Sequence, residues 1–500
     1  MLDQSFSSTN FNKLFLKENR KGNFDKSHLN TEYFNKQEEF KNVLREKREL
    51  KKNKTLSSEK LDEFAERLEN INNEKEEIRL SVFEEYSDKI NNQDDPFQFK
   101  IEYNLVKEVY TVGKDPASYY AVKQLQQNIN KTFKVIQADR NKIIKQIFNI
   151  ASDGFPKIII KTDIKSFYES IPQDRLFKKI ENNTLLSPFS KKLIKRLFYE
   201  FEDKKDKTKI PLKKGIPRGI GISAYLSELY MRDIDNEIKE LEDVIYYARY
   251  VDDIIVIVCP KTVSKKRDYL NEIRAIVSKN LLELKDGTDG KETKTQEIEL
   301  FQDKIRGRKD SDLDEFKYLG YKFILKHFPR NAKTELTIEI SDNKIKEKYI
   351  NRLDAIVKAY NNDSKYNEKE ARNIMFSRLK FLTGNFHLNN NKRNIKSGVF
   401  YSNRMLELNH NNFESLNTLN SELNKKIKTL SPPKGIKNKK DNFKEKLINH
   451  ILSNYDFKKG FENKEKFFYT FSFNSKEASF YSKKFKRVTN KFEVIKSIWK

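Results

Sequence analysis

Three aspartates, Asp163, Asp252 and Asp253, are the residues of this sequence best placed to do chemistry. Asp252 and Asp253 stand in Tyr250-Val251-Asp252-Asp253, after Ala248-Arg249 and before Ile254-Ile255-Val256-Ile257-Val258, while Asp163 follows Lys157-Ile158-Ile159-Ile160-Lys161-Thr162. Phosphoryl transfer to a 3′-oxygen needs one metal to activate the attacking oxygen and another to stabilise departing pyrophosphate, about 3.5–4 Å apart. Hard ions such as Mg²⁺ take oxygen ligands, so a protein must gather carboxylates to hold them. Two adjacent aspartates on a tight turn, facing a third at the end of a neighbouring strand, would hold two Mg²⁺, with Mn²⁺ as a substitute. The single Cys259 and five histidines are too few for a Cys/His zinc site or a disulfide framework, which leaves carboxylates as the metal ligands.

The elements that must position these side chains can be read from periodicity. The stretch from Lys157 to Ile164 is short and rich in branched side chains, the profile of a buried strand ending at an aspartate. Val244–Tyr250 and Ile254–Val258 form a second strand pair, with the acidic dipeptide where a hairpin turn belongs. From Arg175 to Phe201 and from Ala224 to Leu241 the apolar residues recur at helical spacing. The result is an α+β layer in which helices cover one face of an antiparallel sheet. Further helices are expected at Ile345–Tyr360 and Asn367–Leu382, and Pro432-Pro433-Lys434-Gly435 marks a linker. Upstream, residues 31–92 are dominated by charged residues, with Leu61, Phe64, Leu68 and Ile71 at helical spacing. Such helices are either a nucleic-acid or partner arm or, the reading we favour, a solvated hairpin packed on the main body.

Composition points the same way with less force. The chain has 100 Lys+Arg against 74 Asp+Glu, a net charge of +26, which suits a polyanionic partner because counterions are released when phosphates are neutralised. Abundant Lys, Asn and Ile are also what an AT-rich genome produces. The last 70 residues carry 18 Lys+Arg against 7 Asp+Glu, interleaved with Phe467, Phe468, Tyr469, Phe471, Phe473, Phe480, Tyr481, Phe485, Phe492 and Trp499. That pattern suits single-stranded nucleic acid, whose bases stack on rings, and equally suits a small core. The opening Met1-Leu2-Asp3-Gln4-Ser5 has no basic-then-apolar signal pattern, and no stretch approaches the roughly 18 apolar residues of a membrane span. The expectation is a soluble, cytoplasmic protein without a membrane partner.

A lone Tyr-x-Asp-Asp is a weak signal. Its order and surroundings strengthen it. Upstream lies Asp163-Ile164-Lys165-Ser166-Phe167-Tyr168, between the acidic sites lies Gly215-Ile216-Pro217-Arg218-Gly219-Ile220-Gly221-Ile222-Ser223, and downstream lies Phe316-Lys317-Tyr318-Leu319-Gly320-Tyr321-Lys322-Phe323. In order these resemble the A, B, C and E motifs of reverse transcriptases, and Lys294-Thr295 is a looser match to motif D. The resemblance covers roughly residues 110–330 and implies a right-hand polymerase with fingers, palm and thumb. It implies that Asp163 and Asp252 bind the catalytic metals with Asp253 assisting, and that the Ile164 carbonyl is a further ligand. Tyr168 falls where the family places a ring against the sugar 2′ position, which implies deoxynucleoside triphosphate substrates. Gly219 belongs to the stretch that lets backbone approach the nascent base pair. Lys294 is either the proton donor to pyrophosphate or an ordinary loop lysine. Arg140 is expected near the nucleotide triphosphate, or in a structural salt bridge.

The sequence departs from the family pattern at Arg218, where Gln is usual, and at Ile220-Gly221, where Ser-Pro is usual. With these departures it resembles bacterial defence-associated and abortive-infection reverse transcriptases. Asp3-Gln4-Ser5-Phe6-Ser7 with Glu18-Asn19-Arg20-Lys21-Gly22, and Arg378-Leu379-Lys380-Phe381-Leu382-Thr383-Gly384-Asn385 with Gly398-Val399-Phe400-Tyr401-Ser402-Asn403, look most like the first of the two paired reverse transcriptases of the type 3 defence system. That resemblance implies an RNA template, a dedicated non-coding RNA, a DNA product, a second reverse transcriptase as partner, and an oligomer. The implied organisation is an N-terminal helical extension over 1–110, fingers and palm over 111–330, a helical thumb over 331–430 and a basic aromatic-rich segment over 431–500. Rival readings are a template-independent or protein-primed DNA polymerase and a catalytically idle RNA-binding scaffold. Clustered carboxylates at all three positions weigh against the scaffold, since they repel one another without metal.

Overall fold

In the computed structural model, the described residues are 2–20, 26–53, 57–112, 114–261, 267–287, 294–309, 312–389, 394–410, 413–431, 440–465, 467–471, 480–482 and 487–489. The chain begins with α1 (Ser8–Arg20), α2 (Thr31–Lys52) and α3 (Ser58–Asn91), followed by a hairpin of β1 (Glu102–Asn104) and β2 (Val109–Thr111). Next come α4 (Pro116–Phe133), α5 (Arg140–Ala151) and β3 (Lys157–Asp163), then α6 (Phe167–Ser170), α7 (Gln173–Glu181), α8 (Pro188–Lys204) and α9 (Ser223–Lys239). Strands β4 (Val244–Tyr250) and β5 (Asp253–Val258) precede α10 (Tyr269–Lys279), β6 (Gln296–Leu300) and α11 (Gln302–Arg306). After β7 (Leu313–Tyr318), β8 (Tyr321–Phe328) and β9 (Lys333–Ile340) the chain is mostly helical, with helices at Asn351–Asp363, Glu368–Thr383, Glu414–Ile427 and Lys440–Asn454. This is the mixed α+β architecture expected from the sequence.

The chain divides into two compact units, each built from separated segments. One comprises residues 1–138, 163–254 and 266–287, the other 139–162, 255–265 and 288–500. The division runs through β3 and β5.

In the first unit the N-terminal helices and α4 share an aromatic core. The Tyr120 ring lies 5.5 Å from Phe11 and 4.9 Å from Phe83. Helices α2 and α3 form an antiparallel hairpin: Lys36 pairs with Glu74 near one end and Arg67 with Glu46 nearer the other. Val43, Phe64 and Ile71 pack between them. The solvated hairpin favoured by the charge pattern is what forms, because a few apolar residues at helical spacing suffice for one narrow seam. The single helical run read over 175–201 is broken at 182–187 into α7 and α8: Ser187 caps α8 by accepting from the Ser190 N–H, and Pro188 occupies the first turn.

In the second unit β3 pairs antiparallel with β6, from Lys157 opposite Leu300 to Lys161 opposite Gln296. Strands β7, β8 and β9 form an antiparallel meander whose inward face carries Phe316, Phe323, Leu325 and Ile338, all buried. The segment after β9 begins as Asp342–Ile345, passes through a π turn at Lys346–Ile350 and continues as helix to Asp363, so the helix expected from Ile345 starts earlier and irregularly. Asn385–Asn389 pairs antiparallel with Asn394–Gly398 and parallel with Phe467–Phe471. The linker at Pro432–Gly435 and the aromatic residues Phe473, Phe485, Phe492 and Trp499 lie outside the described residues. Among the described residues no helix is long and apolar enough to cross a membrane.

Candidate active site

Asp163 ends β3 because the strand that delivers it is buried along its whole length: Ile158, Ile159 and Ile160 are all at most 6% exposed. Beyond it the backbone is held from two sides. The Lys285 N–H donates to the Asp163 carbonyl at 2.7 Å and the Lys165 N–H to the Glu283 carbonyl at 2.9 Å, while the Ile164 N–H donates to the Asp252 carbonyl at 3.2 Å. The last bond joins the chain after β3 to the acidic turn.

That turn departs from ordinary backbone geometry. Val251 sits at φ 62°, in the left-handed region. For an L-residue this costs about 1–2 kcal/mol, more awkwardly for a β-branched one. The conformation is supported by Arg249, whose Nη1 donates to the Val251 carbonyl at 2.8 Å. Arg249 is itself held by α9: Nε and Nη2 donate to Asp235 at 2.8 and 2.9 Å, and Nη1 and Nη2 to Glu228 at 3.1 and 2.7 Å. Burial disfavours the guanidinium charge, but its bonds to Asp235 and Glu228 outweigh burial and raise its pKa well above the usual value.

The carboxyls of Asp163 and Asp252 lie within hydrogen-bonding reach of each other. Burial first, and then the charge of Asp163, push the Asp252 carboxyl up to about 6. Asp163 is 7% exposed and its Oδ1 is buried without a hydrogen-bond partner. Asp253 adds charge against Asp252 from the adjacent position. The structure thus brings Asp163 and Asp252 together, but among the described residues no group of three His, Cys, Asp or Glu side chains is arranged to hold a metal ion. Two acidic side chains that must share a proton or find a cation, one with an unsatisfied buried oxygen, fit a divalent ion by their chemistry.

Tyr168, in α6, is half-buried, with its hydroxyl near Ser227 of α9. Burial raises its pKa, with further contributions from Glu228 and Asp252. Its carbonyl accepts from the Ile216 N–H at 2.8 Å, which ties the glycine-rich loop to the chain after Asp163. Gly219 has φ 101°, and a Cβ there would meet the Tyr110 carbonyl oxygen and Val109 Cβ at 2.7 Å each. The Tyr110 N–H donates to the Arg218 carbonyl at 2.7 Å, while the Arg218 side chain is exposed. The Ser223 hydroxyl closes the loop by donating to the Pro217 carbonyl at 2.7 Å.

In the second unit Arg140 makes no salt bridge among the described residues. Both Nε, at 2.9 Å, and Nη2 donate to the Leu319 carbonyl, and the guanidinium lies 5.5 Å over the Tyr321 ring. It braces the 318–321 turn, where Leu319 and Gly320 have φ 47° and 74°. Lys294 is placed by its backbone, its carbonyl accepting from Lys161 Nζ at 3.0 Å, next to a Thr162–Thr295 hydroxyl pair at 2.8 Å.

Residues 117–323 match the family described as reverse transcriptase (RNA-dependent DNA polymerase). This segment is similar to that family. It contains all three aspartates, Tyr168, the glycine-rich loop, Arg140, Lys294 and the 318–321 turn. No curated protein matches the sequence. Solved structures to which the chain is similar include apo telomerase from Candida tropicalis truncated from its C-terminal domain, at 19% identity and TM-score 0.29, covering 44% of this chain and 45% of that one. They also include telomerase from Candida albicans in complex with a fragment of telomeric RNA, at 11% identity and TM-score 0.30, covering 69% of this chain and 56% of that one. Apo telomerase from Candida tropicalis is similar at 13% identity and TM-score 0.31, covering 69% and 50%. The chain therefore spans about half the length of these telomerases.

Sequence reasoning passed over the groups that hold the loops of the matched segment in place. Arg249 is noticeable only as a flank of the acidic turn. Gln173 and the fully buried Lys205 also went unread: Gln173 Nε2 donates to the Gly215 carbonyl at 2.9 Å, and Lys205 Nζ to the Pro211 and Lys214 carbonyls at 2.8 and 2.9 Å. The only signal for the first was the Glu228–Asp235 spacing of seven, which puts two acids on one face of a helix.

Proposed function

We propose that this protein is an RNA-directed DNA polymerase that adds deoxynucleotides at a site formed by Asp163, Asp252 and Asp253. The observation that carries the reading is the pairing of the Asp163 and Asp252 carboxyls, with a buried unpartnered oxygen, inside the segment that matches the reverse transcriptase family. In this reading Asp163 and Asp252, with Asp253 and the Ile164 carbonyl, hold two Mg²⁺ or Mn²⁺ ions. Such ions activate the attacking 3′-oxygen and offset charge on the departing pyrophosphate. The protein's own part is positional. The Tyr168 ring limits space at the sugar 2′ position, and Gly219 keeps the loop thin against the nascent pair.

The finer reading is a bacterial defence enzyme acting in the cytoplasm as part of an oligomer with a second reverse transcriptase, copying a dedicated non-coding RNA. It rests on the motif departures at Arg218 and Ile220-Gly221 and on the family resemblance beyond the polymerase motifs. We assign fingers and palm to 111–330, thumb to 331–430, and accessory roles to the extension over 1–110 and the basic segment over 431–500.

The test is primer extension by purified protein with deoxynucleotides on RNA, on DNA and without template. RNA-dependent DNA synthesis that is lost in Asp252→Ala/Asp253→Ala supports the proposal. A homopolymer made without template would move the protein to the terminal-transferase class, and incorporation by the double variant at the parental rate would end the assignment. Sequencing nucleic acid that copurifies with the protein addresses the template.

A further inference from the structure

Arg249 is a saturated cation in a place where no reaction step needs one. A guanidinium has five N–H donors. Here they make five bonds within 3.1 Å: two to Asp235, two to Glu228 and one to the Val251 carbonyl. Its side chain is 4% exposed, so it has no capacity left for a ligand. The Tyr247 hydroxyl adds a bond to Asp235 at 2.6 Å, which fixes the acceptor as well. What this rigid fork grips is the carbonyl of the one residue in the acidic turn with left-handed backbone, immediately before Asp252.

The other end of the fork is α9. Its first turns carry Ser227, near the Tyr168 hydroxyl, and Glu228. The same helix therefore lies by Tyr168 and holds the cation that shapes the acidic turn. Replacement by lysine would keep the charge but not the geometry, since an ammonium on a flexible stem cannot bridge two carboxylates and a carbonyl at once.

We propose that Arg249 is a positioning residue that registers the Val251 turn, and with it the Asp252 and Asp253 carboxylates, against α9. The inference rests on the polymerase reading for its catalytic consequence but not for its geometric one. Val251 holds a backbone conformation that glycine adopts freely and valine does not. The fork supplies the constraint that keeps the turn there.

The test compares wild type, Arg249→Lys, and Arg249→Lys combined with Val251→Gly, reading nucleotide kcat and KM, the affinity for Mn²⁺ by calorimetry, and thermal unfolding. Misplacing the carboxylates by an ångström-scale shift should lower kcat about 100-fold with KM for the nucleotide unchanged, and weaken Mn²⁺ binding. The second substitution, by letting the turn hold its shape unaided, should restore kcat about tenfold and recover Mn²⁺ affinity. If Arg249→Lys retains parental kcat and Mn²⁺ affinity, the inference is overturned. If it loses both only in step with unfolding, and Val251→Gly restores neither, Arg249 is a stabilising residue only and the inference is again overturned. A wild type that binds Mn²⁺ yet incorporates nothing would count against the polymerase reading, while the Mn²⁺ affinities of the two variants would still decide the role of Arg249.

Discussion

The Ile164 N–H donates to the Asp252 carbonyl at 3.2 Å, so the residue after the first aspartate is joined by backbone to the second. This bond does not depend on either carboxylate. Replacing the carboxylates should therefore remove chemistry and spare the fold. Asp252→Ala/Asp253→Ala is expected to lower incorporation by at least about 1000-fold, as loss of groups acting together at a reaction centre does. Circular dichroism and the unfolding midpoint should stay close to parental. Asp252→Asn alone, which ends the repulsion with Asp163, should raise the midpoint in the absence of divalent ions; a lower one would contradict the like-charge account.

The acid–base behaviour of Asp252 gives a second prediction. Burial and Asp163 hold its carboxyl at about 6, above the usual 3.8. A raised carboxyl pKa means that the folded state keeps its proton longer than the unfolded chain does. In metal-free protein this contribution to stability is fully present below the unfolded value and is lost as pH rises through about 6. A bound cation reverses the preference, because it competes with the proton for the same oxygens. Stabilisation by Mn²⁺ in thermal unfolding should consequently be larger above about pH 6 than below it, and the Mg²⁺ needed for half-maximal incorporation should rise as pH falls through that value. An Mg²⁺ requirement that does not change across this range would contradict it.

Tyr168 supplies the third. Its ring is half-buried and the Ile216 N–H donates to its carbonyl, so the backbone that carries the ring is tied to the glycine-rich loop. Tyr168→Ala is expected to raise the efficiency of ribonucleotide over deoxynucleotide incorporation by about 10- to 100-fold, the range one misfitting group produces in a shaped pocket. Tyr168→Phe, which keeps the ring and loses only the hydroxyl, should raise it far less. Competitive incorporation assays measure both. Equal ribonucleotide acceptance by the two variants would assign discrimination to the hydroxyl rather than to the ring.

Much of this was legible in the chain because the signals were local. Lys157–Asp163 announced a buried strand through three isoleucines in succession, and Val244–Val258 announced a hairpin by the same means around its acidic pair. What was not legible depends on partners distant in sequence. Arg249 reads as an ordinary flank until α9 delivers Glu228 and Asp235 to it, and the bond by which Arg140 braces the 318–321 turn joins residues 179 apart in sequence. The break between α7 and α8 was hidden for another reason: apolar spacing continues across it, and only the Ser187-Pro188 cap marks the new start.

Gly219 carries the last prediction, with its neighbour as the control. At φ 101° any side chain is strained, and a Cβ would stand 2.7 Å from the Tyr110 carbonyl oxygen, which cannot move freely because the Tyr110 N–H is bonded to Arg218. Both effects act against backbone. Gly219→Ala should cost about 1–3 kcal/mol of stability, within the usual range for a residue held in a forbidden conformation. It should also weaken nucleotide binding by displacing the loop. At Gly221 the nearest atom to an added Cβ is Gln126 Oε1 at 3.0 Å, the far end of a flexible side chain, and no positive φ is involved. Gly221→Ala should therefore leave the unfolding midpoint near parental while Gly219→Ala lowers it. Chemical denaturation of the two variants in parallel measures the difference, and equal losses would mean that the loop responds to added bulk at either position rather than to the contact with Tyr110.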